Sequence, residues 1–169
     1  DRMKSRREFI TLLGGAAAAW PVVARAQASK LPTVGFLGAN TPASQSQWTA
    51  AFVDRLRELG WVEGRTVAIE YRWAGGRDDR LAEIVAELVK LKVDVVVTWG
   101  TIPALAIKQA TSVIPIVFAA AGDPVGTGLV VSLARPGANV TGLSNQQGDL
   151  GGKRLEFLRE AVPSLRRLA

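Results

Sequence analysis

The chain has 169 residues, 48% of them hydrophobic and 21% charged, which fits one globular domain plus part of another and not a disordered or fibrous protein. It contains neither cysteine nor histidine, which excludes disulfide scaffolds, thiolate and imidazole metal sites, cysteine nucleophiles and histidine-based triads. The net charge is +6, and half of that excess lies in the first 26 residues, where Arg2, Lys4, Arg6, Arg7 and Arg25 outnumber Asp1 and Glu8. The remainder is spread along helices, so no nucleic-acid surface is expected.

Residues 1–26 read as an export signal. Lys4-Ser5-Arg6-Arg7 is a positive head, Ile10 to Val23 is an uncharged apolar stretch of 14 residues, and Ala24-Arg25-Ala26 offers small residues for cleavage after Ala26. The apolar stretch is shorter than the roughly 20 residues a membrane-spanning helix needs. Ser5-Arg6-Arg7-Glu8-Phe9-Ile10 also resembles a twin-arginine export signal.

Beyond residue 30, strand and helix patterns alternate. Leu31 to Leu37 is a short apolar run ending at Gly38, a buried strand. Ala43 to Leu59 carries Trp48, Ala51, Phe52, Leu56 and Leu59 at helical spacing, with Ser44 or Ser46 to cap it and Gly60 to stop it. Trp48 and Trp61 are assigned to the core. Thr66 to Trp73 is rich in β-branched and aromatic residues and predicts a second strand. Asp78 or Asp79 then caps a helix running to Leu91, with Leu81, Ile84, Val85 and Leu88 as its buried stripe. The valines of Val93 to Thr98 suit a strand covered on both faces. A helix opened by Pro103 and capped by Thr101 reaches Thr111, and Ile114 to Ala119 is the fourth strand. Gly126 to Leu133 is a short helix or irregular segment, Val140 to Leu143 the fifth strand, and Leu150 to Ala161 a last helix ended by Pro163. This alternation with short connections predicts an α/β fold with a doubly wound parallel sheet.

Ligands of such sheets bind beyond the carboxyl ends of the strands. The residues there are Asn40, then Thr98, Gly100 and Thr101, then Asp123, then Asn145. Gly100 allows close backbone approach, and the helix starting near Thr101 offers free N–H groups to a carboxylate or phosphate. Asp123 on a neighbouring loop would balance an ammonium group, so the pair suits a zwitterion such as an amino acid. Trp99 or Trp73 would stack on an apolar or aromatic side chain. Taken singly, Thr101 is equally an N-cap and Asp123-Pro124 an ordinary turn start.

Enzyme signatures are weak. Gly35-Phe36-Leu37-Gly38 lacks the third glycine of a dinucleotide fingerprint, there is no Walker loop, and Gly142-Leu143-Ser144-Asn145-Gln146 fails the nucleophile-elbow pattern. No cofactor is implied. The alternative that stays open is an exported α/β enzyme whose site uses neither histidine nor cysteine.

Four segments carry a family resemblance: Arg6 to Gly15, Leu56 to Arg65, Ile69 to Trp73, and Gly122-Asp123-Pro124-Val125-Gly126-Thr127-Gly128-Leu129-Val130. They resemble the substrate-binding proteins of ABC transporters, in the tryptophan/tyrosine-type uptake group. That resemblance implies a type I periplasmic-binding-protein fold and no catalysis. It also implies a small solute held between two lobes and a partner permease in the inner membrane. The ligand contacts it implies are Asn40, Thr98, Gly100, Thr101, Asp123 and Asn145. Family members have two complete lobes. The expected organisation here is a signal peptide over 1–26, lobe one over 27–143, and over 144–169 the crossover and first helix of an incomplete lobe two. The protein is expected in the periplasm, in a truncated form.

Overall fold

The computed structural model describes residues 30–145 and 150–164, so the export-signal reading of 1–26 lies outside the described residues. The chain divides into Asp1–Lys30 and Leu31–Ala169, and the second unit carries the elements described below. In chain order they are β1 (Thr33–Gly38), α1 (Ser46–Glu58), β2 (Ala68–Trp73), α2 (Asp78–Leu91), β3 (Val95–Trp99), α3 (Thr101–Ala110), β4 (Ile116–Ala121), β5 (Val140–Ser144) and α4 (Leu150–Ala161). The sheet order is β2-β1-β3-β4-β5, and every pairing is parallel. The doubly wound α/β reading holds, and segment 126–133 is irregular.

Successive residues of β1 point to opposite faces and show how the layers form. Gly35 faces α2, where a Cβ would stand 3.0 Å from the Leu88 side chain. Phe36 faces α1 and meets Phe52, Tyr71 and Trp73 at ring-centroid distances of 5.6, 5.6 and 5.5 Å. The two faces are unequally covered. Leu81, Ile84, Val85 and Leu88 of α2, with Ile107 of α3, pack on Leu37, Val96, Ile116 and Phe118 and form the main core. On the other face α1 buries no residue fully. Trp48 and Trp61 are exposed there, which corrects their assignment to the core. α4 also has no buried residue.

Helix starts differ from expectation by one to three residues: α1 begins at Ser46 and not at Ala43, and α3 at Thr101 and not at Pro103. The N-cap of α1 is Gln45, that of α2 is Arg77 and that of α3 is Gly100, none with a capping side-chain hydrogen bond. Ser44 instead hydrogen-bonds Thr41, and Asp78 and Asp79 sit inside the first turn of α2, where their charge favours the helix dipole. β4 begins two residues later than expected and ends at Ala121. β5 lies so close to β4 that a Cβ on Gly142 would run into the Phe118 carbonyl oxygen.

Two outcomes follow from this packing. Leu88→Ala, cut from the middle of the α2 stripe, is expected to lower unfolding free energy by about 2–5 kcal/mol in a urea titration. Tyr71, the single tyrosine, donates to Glu63 at 3.3 Å. Burial, and after it the Glu63 carboxylate, push its phenol up from 10.0 to about 12. Because the fold favours the neutral phenol, this contribution to stability is whole below about pH 10 and is lost as pH rises through about 12. Ultraviolet titration should find the tyrosinate midpoint near the higher value, and Glu63→Gln should lower it.

Candidate functional site

In a parallel sheet every strand delivers its following loop to the same edge. Asn40 follows β1, Gly100 and Thr101 follow β3, Asp123 follows β4 and Asn145 follows β5, so these residues occupy one rim. β1 and β3 are neighbours, with Leu37 opposite Thr98. From them the chain departs to opposite faces, into α1 and by way of α3, and this is the point where a doubly wound sheet opens a crevice.

The loops are tied to one another along that edge. The Gly122 N–H donates to the Thr101 hydroxyl oxygen at 3.2 Å, the Gly100 N–H to the Ala119 carbonyl at 2.9 Å, and the Asn145 N–H to the Ala121 carbonyl at 3.0 Å. Gly100 has φ +90°, a value L side chains rarely adopt, and open space where a Cβ would project. α3 therefore starts without a side-chain cap, and the first N–H groups of such a helix have no partner within it. Pro103, third in the helix, removes one of these donors and leaves those of Thr101 and Ile102, since Ala104 is the position that pairs with the N-cap carbonyl of Gly100.

Other residues of the set are already engaged. Thr98 is 2% exposed and its hydroxyl donates to the Leu37 carbonyl at 2.9 Å, which makes its side chain a strut between β3 and β1. One Asp123 carboxylate oxygen accepts the Gly126 N–H at 2.8 Å, and its carbonyl accepts the Thr127 hydroxyl, so Asp123 also starts a turn. Asn40 leans toward the β2 loop: its carbonyl accepts the Gly75 N–H at 3.1 Å, and its side-chain oxygen lies 3.8 Å from where a Cβ on Gly76 would stand.

Trp48 enters the rim although periodicity placed it in the core. It is 49% exposed and stacks on Trp99 with centroids 5.1 Å apart and planes 9° from parallel. The pair closes a small pocket of about 100 Å³ whose floor includes Phe36, Phe52, Val97 and Ala119. Buried Gln45 lies beside it and accepts the Asn40 N–H at 3.3 Å. Trp73 does not join this shelf, because it packs on Phe36 and over Gly38. The sequence clue to Trp48 was its place in the first turn after the β1 loop, which puts it at the sheet's edge.

Over residues 42–169 the sequence matches the family of ABC transporter substrate binding proteins. The chain belongs to this family. A tyrosine-binding protein of Clostridioides difficile (strain R20291) is 32% identical over 117 residues, 69% of this chain and 33% of the relative. Among solved structures, a conserved domain protein of Vibrio cholerae superposes with a TM-score of 0.72 at 32% identity, covering 80% of this chain and 45% of that one. A Streptococcus pneumoniae ABC domain in complex with L-Trp gives 0.63 at 31% identity, with 68% and 39% covered. The open, ligand-free form of a Clostridium difficile substrate-binding protein with adhesive properties gives 0.64 at 28%, with 79% and 45% covered. This substrate-binding-family chain thus spans less than half the length of each of these relatives.

The two roles of Asp123 are separable. Asp123→Ala removes the oxygen that accepts the Gly126 N–H and is expected to cost about 0.5–2 kcal/mol in chemical denaturation. Asp123→Asn keeps an acceptor there and should stay close to wild type.

Proposed function

We propose that the chain belongs to the extracytoplasmic binding component of an ABC importer, and that its rim holds one side of a small, amino-acid-like solute. Residues 1–26 act as the export signal, by the twin-arginine route, and the working location is the periplasm. Residues 27–143 form lobe one and residues 144–169 begin lobe two. Closure of two lobes on the solute gives the permease a form to recognise, since a ligand that bridges both lobes favours the closed state. The reading rests chiefly on one observation: in a member of this family, the uncapped start of α3 stands where β1 and β3 diverge.

In this reading the solute's carboxylate takes the N–H groups of Thr101 and Ile102, helped by the helix dipole and by the Thr101 hydroxyl. The charge of Asp123 balances the ammonium group, and the side-chain amides of Asn40 and Asn145 border the site. Gly100 keeps the approach open, and Thr98 holds β3 against β1 beneath it. An aromatic solute side chain rests against the Trp48–Trp99 shelf, in keeping with relatives named for tyrosine and for L-Trp. Nothing in this scheme makes or breaks a covalent bond.

Calorimetry on the whole protein with a panel of amino acids tests it. Saturable binding of an aromatic amino acid is expected. Thr101→Val and Asp123→Asn should each weaken that binding by about 5- to 150-fold, that is about 1–3 kcal/mol, by leaving a polar partner unmatched. Wild-type affinity in both variants would remove these residues from the site.

A further inference from the structure

A second concavity, larger than the tryptophan pocket, lies between the outer sides of α2 and α3, with a volume of about 710 Å³. Leu81, Val85 and Val89 of α2 and Ile102 and Ala106 of α3 give it an apolar lining, and Ile102 is 60% exposed. Its α2 wall has opposite charges at its two ends, Asp78 in the first turn and Lys90 in the last. Among the described residues neither forms an ion pair, whereas nearby Glu87 and Asp79 are paired with Arg72 and Arg77.

From this arrangement we infer that the groove seats α2 of a second copy of this chain, in a twofold antiparallel contact. The argument is self-complementarity. A twofold contact requires one surface to match itself, residue i meeting j while j meets i. An axis crossing α2 midway, near Ile84, sets Asp78 of each copy against Lys90 of the other. The same axis sets Ala82 against Ala86, both exposed and both lining the groove. Methyl groups at the crossing let the helices approach to about 8 Å, close enough for each α2 to cover the other copy's Ile102. Asp78 and Lys90 are 12 positions apart, about 18 Å along the helix, so two ion pairs bracket the apolar contact and fix its direction. A parallel arrangement would place like charges together at both ends.

Sedimentation equilibrium of the full chain tests this. A reversible monomer–dimer equilibrium is expected between about 1 and 200 µM. Asp78→Lys should raise the dimer dissociation constant at least about tenfold, and adding Lys90→Asp should bring it back toward wild type. Both reversed charges oppose the helix dipole, so a mere folding defect would worsen in the double variant instead of recovering. Ala86→Arg, at a solvent-facing position, should leave a folded monomer. A chain that stays monomeric throughout overturns the inference, including one whose groove holds a small apolar molecule or its own residues 10–23. So does a dimer that Ala86→Arg leaves intact.

Discussion

The structure depends on the contact between one sheet face and the paired helices α2 and α3. That contact holds nearly all of the fully buried apolar side chains, from Leu37 and Phe118 in the sheet to Leu88 and Ile107 in the helices. It also forces the connections between β2, β3 and β4 to cross on one side and the strands to run parallel. Parallel strands then have their carboxyl ends at a single edge. The rim is a consequence of how the core is buried, and the site needs no separate scaffold.

At that rim the backbone supplies most of the chemistry. Gly100, at positive φ, turns the chain from β3 straight into α3 without a capping side chain. The first donors of α3 consequently have no partner within the helix or from a capping side chain. The hydrogen bond from Gly122 to Thr101 links the β3 and β4 loops, so Asp123 is placed relative to those donors by the scaffold and not by its own conformation. The Trp48–Trp99 stack adds an apolar surface from the opposite face of the sheet. Free helix N–H groups, a carboxylate and an aromatic shelf along one edge are the parts that the proposed amino-acid-like solute would use.

Much of this was legible in the sequence where local physics decides the outcome. The 3.6-residue stripe of α2 gave its four buried residues, because a helix lying on a sheet face cannot bury any other set, and its end at Leu91 was also expected. The valine run located β3, but only Val96 and Thr98 on the α2 side are buried, while Val95 and Val97 on the other face are half-buried. What failed was decided by non-local geometry. Trp48 shares a stripe with Phe52 and Leu56, but it stands in the first turn, where it stacks on Trp99 at the rim and stays half exposed. Thr101 and Asp78 look like N-caps by residue type. The caps are the residues before them, since Gly100 and Arg77 adopt the non-helical conformation that a cap needs. Strand order, and with it the β1/β3 divergence, depends on which crossovers pass over β1, and no local pattern encodes that.

The central claim is that the start of α3 grips the solute's carboxylate. Backbone amide NMR of the whole protein, titrated with L-tyrosine or L-tryptophan, addresses it most directly. The account predicts large, saturable shifts at the Thr101 and Ile102 amides that follow a single dissociation constant. Saturable binding that leaves those two amides unmoved, with shifts confined to other parts of the sheet, would contradict it.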